Sequence, residues 1–93
     1  MIVLVNKNIL FNLFNTSSFD KLESSFSTIA PSMVEYHLSN LAEELSSTST
    51  YINRANIQNT IHIDSYSLYY DYNDDIYLEF KESNDEYETL SLW

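Results

Sequence analysis

Residues 60–80, with the sequence TIHIDSYSLYYDYNDDIYLEF, decide the fold because polar and apolar side chains alternate along most of their length. Alternation with a period of two is typical of strands that bury one face. Keeping the apolar faces in phase places Tyr70 opposite Leu78 and leaves 73–75 as a three-residue loop. Since the chain contains no Gly, we expect Asn or Asp to adopt the left-handed conformation that this loop needs.

The strand pattern extends to both sides of this stretch. Before it, 51–57 form a weak strand, while 60–65 form a strand with Ile61 and Ile63 on one face. After it, phase matching places Leu78 opposite Leu90 across a loop around 83–85. The C-terminal half of the chain is therefore predicted to be an antiparallel meander.

The N-terminal half contains helical patterns. Apolar residues in 2–14 recur every three or four positions, which predicts an amphipathic helix, although the β-branched residues at its start favour a strand. Alternation in 19–28 predicts a short, partly exposed strand. Pro31 begins the clearest helix, which ends at the Ser/Thr run 46–50. The prediction for 1–93 is one α+β domain with two helices packed on a twisted antiparallel sheet of about five strands.

The charge of the chain is strongly acidic. Fourteen acidic residues oppose four basic ones, which gives a net charge of −10. Such a field repels nucleic acid and attracts basic surfaces, so we expect a protein partner rather than DNA or RNA. The alternative is that the acids only keep the protein soluble.

The acidic residues are concentrated near the C-terminus. Nine acids and one base lie in the last thirty residues, so nine minus one gives −8 of the total −10. Alternate residues of a strand lie about 6.6 Å apart, and phosphates along a DNA strand are about 6–7 Å apart. A sheet could therefore hold carboxylates where a bound protein expects phosphates, and the candidates within the meander are Asp64, Asp71, Asp74, Asp75 and Glu79.

Enzymatic chemistry receives little support from the sequence. The chain has no Cys, and its lack of Gly excludes phosphate-binding loops and the nucleophile elbow of hydrolases. His37 and His62 are the only histidines, and a metal site built from His62 and Asp64 would lack any recognised ligand spacing. We therefore expect no catalytic residues, no cofactor and no metal.

Membrane targeting is not expected either. The apolar run 1–5 is broken at Asn6, so it is too short for a signal peptide or a membrane span. The predicted location is the cytoplasm.

Several short segments resemble the staphylococcal uracil-DNA glycosylase inhibitor family. They are NLFN at 12–15, KLES at 21–24, TSTY at 48–51, SLYY at 67–70 and ESND at 82–85. None is specific alone, but their order and spacing are similar over roughly residues 9–92. The resemblance implies two helices on a five-stranded antiparallel sheet. It also implies a DNA mimic that acts as a monomer in a bacterial host cell and forms a 1:1 complex with uracil-DNA glycosylase.

The resemblance also implies roles for particular residues. Glu23 and Ser24 would lie on an edge strand that enters the DNA-binding groove of the enzyme, although Ser25 stands where the resemblance implies a second acid. We expect loss of Glu23 to weaken binding more than loss of a loop acid such as Glu86. A hydrophobic pocket would capture an apolar side chain of the enzyme, with walls drawn from Met33, Val34, Leu38, Leu68, Tyr70, Ile76 and Leu78.

Three alternatives remain open at this stage, one of them a small enzyme that would depend on His37 and His62. Each of the pocket residues could simply belong to the core. The same acidic surface would also suit another antagonist from a phage or mobile element, such as an anti-CRISPR or anti-restriction protein.

Overall fold

The computed structural model describes residues 1–45, 49–63 and 65–80, and it confirms the α+β fold. Within these residues the sheet has four antiparallel strands rather than about five, in the order β1-β4-β3-β2. The elements in chain order are β1 (Ile2–Val5), α1 (Lys7–Leu13), α2 (Phe19–Thr28), α3 (Pro31–Leu45), a 3₁₀ turn (Arg54–Asn56), β2 (Ile57–Ile63), β3 (Tyr66–Asp71) and β4 (Ile76–Phe80). Among these helices we find none with both the length and the apolar content that crossing a membrane requires.

Helix α3 begins at Pro31, as the sequence predicts. The missing amide of Pro costs nothing in a first helical turn. Val34, Leu38 and Leu41 recur at spacings of three and four and are buried against the sheet. This helix supplies much of the layer that covers one face of the sheet.

Helix α2 occupies the segment that the sequence assigned to a strand, so that prediction is wrong. The Ser18 side chain accepts a hydrogen bond from the backbone N–H of Lys21 and caps the helix. Phe19 and Leu22 are buried and Phe26 packs against the core, a helical spacing of three and four. The cap and this spacing outweigh the alternation of Ser and apolar residues.

The first fourteen residues are also divided differently from the predicted single helix. Ile2–Val5 form strand β1, with Val3 and Val5 buried. Asn6 then caps α1, because its side chain accepts hydrogen bonds from the amides of Asn8 and Ile9. The β-branched residues at the start form a strand because β4 offers a pairing edge.

The β3–β4 hairpin forms as predicted but with a register shifted by two residues. Tyr70 lies opposite Ile76, and Leu78 lies between Leu68 on β3 and Val3 on β1. A shift of two keeps every side chain on its expected face. The predicted partner Leu90 and the loop at 83–85 lie outside the described residues.

The hairpin loop moves with the register to residues 72–74. Asp74 has φ 69°, in the left-handed region, and its amide bonds to the Asp71 carbonyl. The expectation that Asn or Asp replaces Gly in this turn is confirmed.

Of the predicted weak strand 51–57, only Ile57 belongs to a strand, as the first residue of β2, and 50–56 form a connection across the sheet. Thr50 donates a backbone hydrogen bond to Ile2 at the β1 edge, and β2 begins at the opposite edge. Between them the Arg54 guanidinium lies 5.1 Å from the ring centre of Tyr69. Since neighbouring Tyr70 stacks on Phe19 of α2, Tyr69 faces away from the helices. The connection therefore covers the outer face of the sheet, which explains why Tyr69 is buried.

Candidate functional site

Asp71, one of the predicted phosphate-mimicking residues, is buried within the hairpin. Its exposed fraction is 4%. Its Oδ1 accepts backbone hydrogen bonds from Asn73 at 3.0 Å and from Asp75 at 2.8 Å. The carboxylate therefore holds the turn together, and its burial leaves little of its surface exposed to a partner.

Asp74 is exposed but neutralised by neighbouring residues. Lys7 Nζ lies 2.6 Å from its Oδ2, and the Tyr70 hydroxyl donates a hydrogen bond to its Oδ1. The hydrogen bond from Lys7, which has the larger effect, and the one from Tyr70 both lower the pKa of the Asp74 carboxyl. The hydrogen bond to Asp74 raises the pKa of the Tyr70 hydroxyl. Asp74 thus ties helix α1 to the hairpin.

Glu79 is engaged on the outer face of the sheet. It accepts a hydrogen bond from the Tyr69 hydroxyl, and Arg54 Nη2 lies 4.0 Å from its Oε2. Asp75 is half-buried in the hairpin, and Asp64 lies outside the described residues. Four of the acidic residues predicted to mimic phosphates are described, and three of them (Asp71, Asp74 and Glu79) are paired within the molecule. These three therefore do not form a row of unpaired negative charges along the sheet.

Glu23 and Ser24 lie on helix α2 and not on the predicted edge strand. Both are exposed. The sheet edge beside them is β2, since Glu23 lines two depressions that are also lined by β2 residues. Ser24 lines a separate polar groove with Lys21 and Thr28. Glu23 therefore lies on a helix beside the β2 edge, whereas the prediction placed it on the edge strand itself.

The larger of the two depressions is an apolar groove with a volume of about 300 Å³. It lies between the second half of α2, the start of α3 and β2. Glu23 and His62 contribute polar groups to its lining. Its apolar lining consists of Phe26, Pro31, Val34, Ile61 and Ile63. We name this depression the apolar groove.

The smaller depression adjoins the apolar groove along β2. Its volume is about 70 Å³, and its lining is mostly polar. Asp20 and Glu23 supply two carboxylates, while Asn59 and Thr60 supply neutral polar groups. Because Glu23 and Ile61 line both depressions, the two are contiguous. We name this smaller depression the acidic notch.

The predicted hydrophobic pocket is filled by the core. Val34, Leu38, Leu68, Ile76 and Leu78 each have at most 1% of their surface exposed. Of the two remaining residues, Tyr70 stacks on Phe19 at 5.0 Å between ring centres, and Met33 is 46% exposed. Of the seven predicted residues, only Val34 lines the apolar groove.

The groove residues Phe26, Ile61 and Ile63 were not predicted as site residues. The sequence does contain a signal for them. A helix is indicated by the capping residue Ser18 and by the spacing of Phe19, Leu22 and Phe26. The apolar side of this helix lies against β2, so Phe26 meets Ile61 and Ile63 in the groove.

The two histidines contact neighbouring aromatic and hydroxyl groups. His37 packs edge-on against Phe14, with 5.4 Å between ring centres. His62 Nδ1 lies 2.9 Å from Ser67 Oγ, and Glu79 lies across the strand pair on the other side of Ser67. A hydrolytic triad needs the carboxylate beside the imidazole. The order His62, Ser67, Glu79 across the strands places the serine between them and does not form a triad. Within 1–45, 49–63 and 65–80, no cluster of three potential metal ligands is found.

Comparisons with known proteins identify no relative of this chain. No family model matches it, and neither a curated protein nor a solved structure is detectably similar to it. The resemblance to the glycosylase inhibitors therefore remains a prediction from short sequence segments.

Proposed function

We propose that this protein is a DNA-mimicking inhibitor that binds the DNA-binding surface of an enzyme, with uracil-DNA glycosylase as the first target to test. The observation that carries the proposal is the site at the β2 edge. There, exposed Glu23 lies between the acidic notch and the apolar groove in a chain of net charge −10. A partner with a basic surface and a protruding apolar side chain complements both depressions.

Electrostatics favours a nucleic-acid-binding partner. Enzymes that bind DNA present clustered Lys and Arg side chains to the phosphates. Asp20 and Glu23 on α2 would occupy positions of two such phosphates. The net charge speeds the encounter with a basic surface and repels nucleic acid itself.

The apolar groove favours an enzyme that unstacks DNA. Glycosylases flip the target base out of the helix and must fill or support the space it leaves. An apolar side chain that serves this role in the enzyme could enter the groove. Its burial would contribute about 1.5–3 kcal/mol to binding.

A uracil-excision assay tests the proposal. Purified protein is titrated into uracil-DNA glycosylase with uracil-containing duplex DNA, and we expect activity to fall to background near one equivalent. The matched variants Glu23→Gln and Glu44→Gln remove the same charge, but Glu44 is exposed on α3 and lines neither depression. Glu23→Gln should weaken inhibition about tenfold, the loss of one charge-assisted contact, while Glu44→Gln should change it less than about twofold.

Two results would contradict the proposal. Full excision activity in excess protein would exclude uracil-DNA glycosylase as the target. Equal losses from the two variants would show that inhibition depends on net charge and not on the site at the β2 edge.

A further inference from the structure

Strand β2 is an edge of the described sheet. Its only strand neighbour among the described residues is β3. Gln58, Asn59, Thr60 and His62 are exposed along it, and β2 contains neither Lys nor Pro, which commonly protect such edges. An edge strand presents unpaired N–H and C=O groups that can bind another extended chain.

The two depressions follow this edge with the spacing of a strand. Asn59, Ile61 and Ile63 lie on the face of β2 that is turned toward the helices, because successive side chains alternate. The acidic notch lies at Asn59 and Ile61, and the apolar groove lies at Ile61 and Ile63. Neighbouring sites on one face of a strand are about 6.6 Å apart. An added strand would therefore meet the two depressions with side chains two residues apart.

We propose that β2 accepts an extended segment of the partner in which an apolar and a basic residue are separated by one residue. This inference rests on the proposed function for the basic character of the partner. The apolar side chain enters the groove beside Phe26, and the basic side chain pairs with Asp20 and Glu23 in the notch. In the antiparallel arrangement, which gives the better hydrogen bonds, the partner reads apolar-x-basic from its N-terminus, since β2 runs from the notch to the groove.

Charge favours this occupant over a second copy of the chain. Two copies would each bring a net charge of −10 to the interface. The sequence of β2, IQNTIHI, also has no Lys or Arg with which to oppose Asp20 and Glu23 of another copy. A basic segment satisfies both carboxylates, while a copy of β2 satisfies neither.

Two blocked, fluorescently labelled peptides of identical composition provide the test. One carries Leu and Lys two positions apart in a Thr/Gln background, and the other carries them at adjacent positions. Adjacent residues of a strand point to opposite faces, so the second peptide can fill only one depression. Fluorescence anisotropy should show that the first peptide binds the full-length protein about tenfold more tightly.

Protein variants assign the basic contact. Glu23→Gln should weaken binding of the Lys peptide about fivefold, but it should leave a peptide with norleucine in place of Lys unchanged. Glu44→Gln should affect neither peptide. Amide exchange should slow on binding at those β2 amides that are not hydrogen-bonded to β3.

Three outcomes would overturn the inference. They are equal affinity of the two peptides, protection of the outer β2 amides in the free monomer, and a concentration-dependent dimer that protects them. The two proposals can fail separately. If the protein inhibits the glycosylase but does not prefer either peptide, the proposed function is supported and strand addition at β2 is contradicted. If the protein prefers the first peptide but does not inhibit the glycosylase, strand addition at β2 is supported and the partner is another basic protein.

Discussion

The β3–β4 hairpin and helix α2 are both acidic, yet their carboxylates have different surroundings. In the hairpin, Asp71 accepts two backbone N–H groups and Asp74 is paired with Lys7. On α2, Asp20 and Glu23 are exposed and line the acidic notch. The comparison shows that a concentration of acids in a sequence does not locate a binding surface, because some of them hold the fold together.

A physical reason explains why the hairpin retains its carboxylates. The chain has no Gly, so its tight turn depends on side-chain acceptors and on Asp74 in the left-handed conformation. Helix α2 has no such need, since Ser18 already caps it. Its acidic side chains Asp20 and Glu23 are exposed and can contact another molecule.

The largest expected effect is on stability, from Asp71→Ala. This change leaves the N–H groups of Asn73 and Asp75 without their acceptor, so we expect a loss of about 2–3 kcal/mol in the free energy of unfolding. Asp71→Asn keeps an oxygen acceptor and should recover about half of that loss. Urea unfolding followed by circular dichroism measures both.

The control for this prediction is Glu23→Ala, which removes an exposed carboxylate beyond the first turn of α2 and should change stability by less than about 0.5 kcal/mol. Similar losses from Glu23→Ala and Asp71→Ala would remove the distinction between the hairpin and α2.

A smaller effect is expected on the rate of association with the target enzyme. Replacing Asp20 and Glu23 by Asn and Gln should slow association about three- to fivefold at low salt, because these charges attract the basic surface. Asp74→Asn should leave the rate nearly unchanged, since Lys7 already neutralises that carboxylate. Stopped-flow fluorescence at several salt concentrations measures the rates. Equal slowing per charge removed would indicate that only the overall charge steers association.

The smallest effect concerns pH. Lys7 and Tyr70 lower the pKa of Asp74 from its ordinary value of 3.8, so the pairing stabilises the folded state above that value. The contribution is lost as the pH falls through the lowered pKa of the folded state. Wild type should therefore melt slightly above Asp74→Asn at neutral pH, and the difference should shrink as the pH falls below 3.8. A difference that grows toward low pH would contradict the pairing.

Part of this fold could be predicted from local pattern alone. The α3 helix, the strands β2 to β4 and the left-handed aspartate in the hairpin follow from periodicity and turn chemistry. The hairpin register was missed by two residues because both registers bury the same faces. Residues 19–28 were misassigned because Ser alternates there with apolar residues, while the Ser18 cap and the Phe19, Leu22 and Phe26 spacing indicated a helix.

The candidate site could not be predicted from local sequence patterns, because it depends on contacts between residues that are distant in sequence. Residues 50–56 cross the outer face of the sheet through contacts with Ile2 and Tyr69, which are distant in sequence. Pairing of Lys7 with Asp74 spans 67 positions. Glu23 was identified through the resemblance, but its place beside β2 required the folded arrangement.

Amide hydrogen exchange on the complex with uracil-DNA glycosylase tests the central claim most directly. If Asp20, Glu23 and the β2 edge form the binding site, exchange should slow along β2 and α2 on binding. Exchange at residues 71–76 in the hairpin should stay as it is in the free protein. Slowed exchange confined to the hairpin, with β2 and α2 unchanged, would contradict the account.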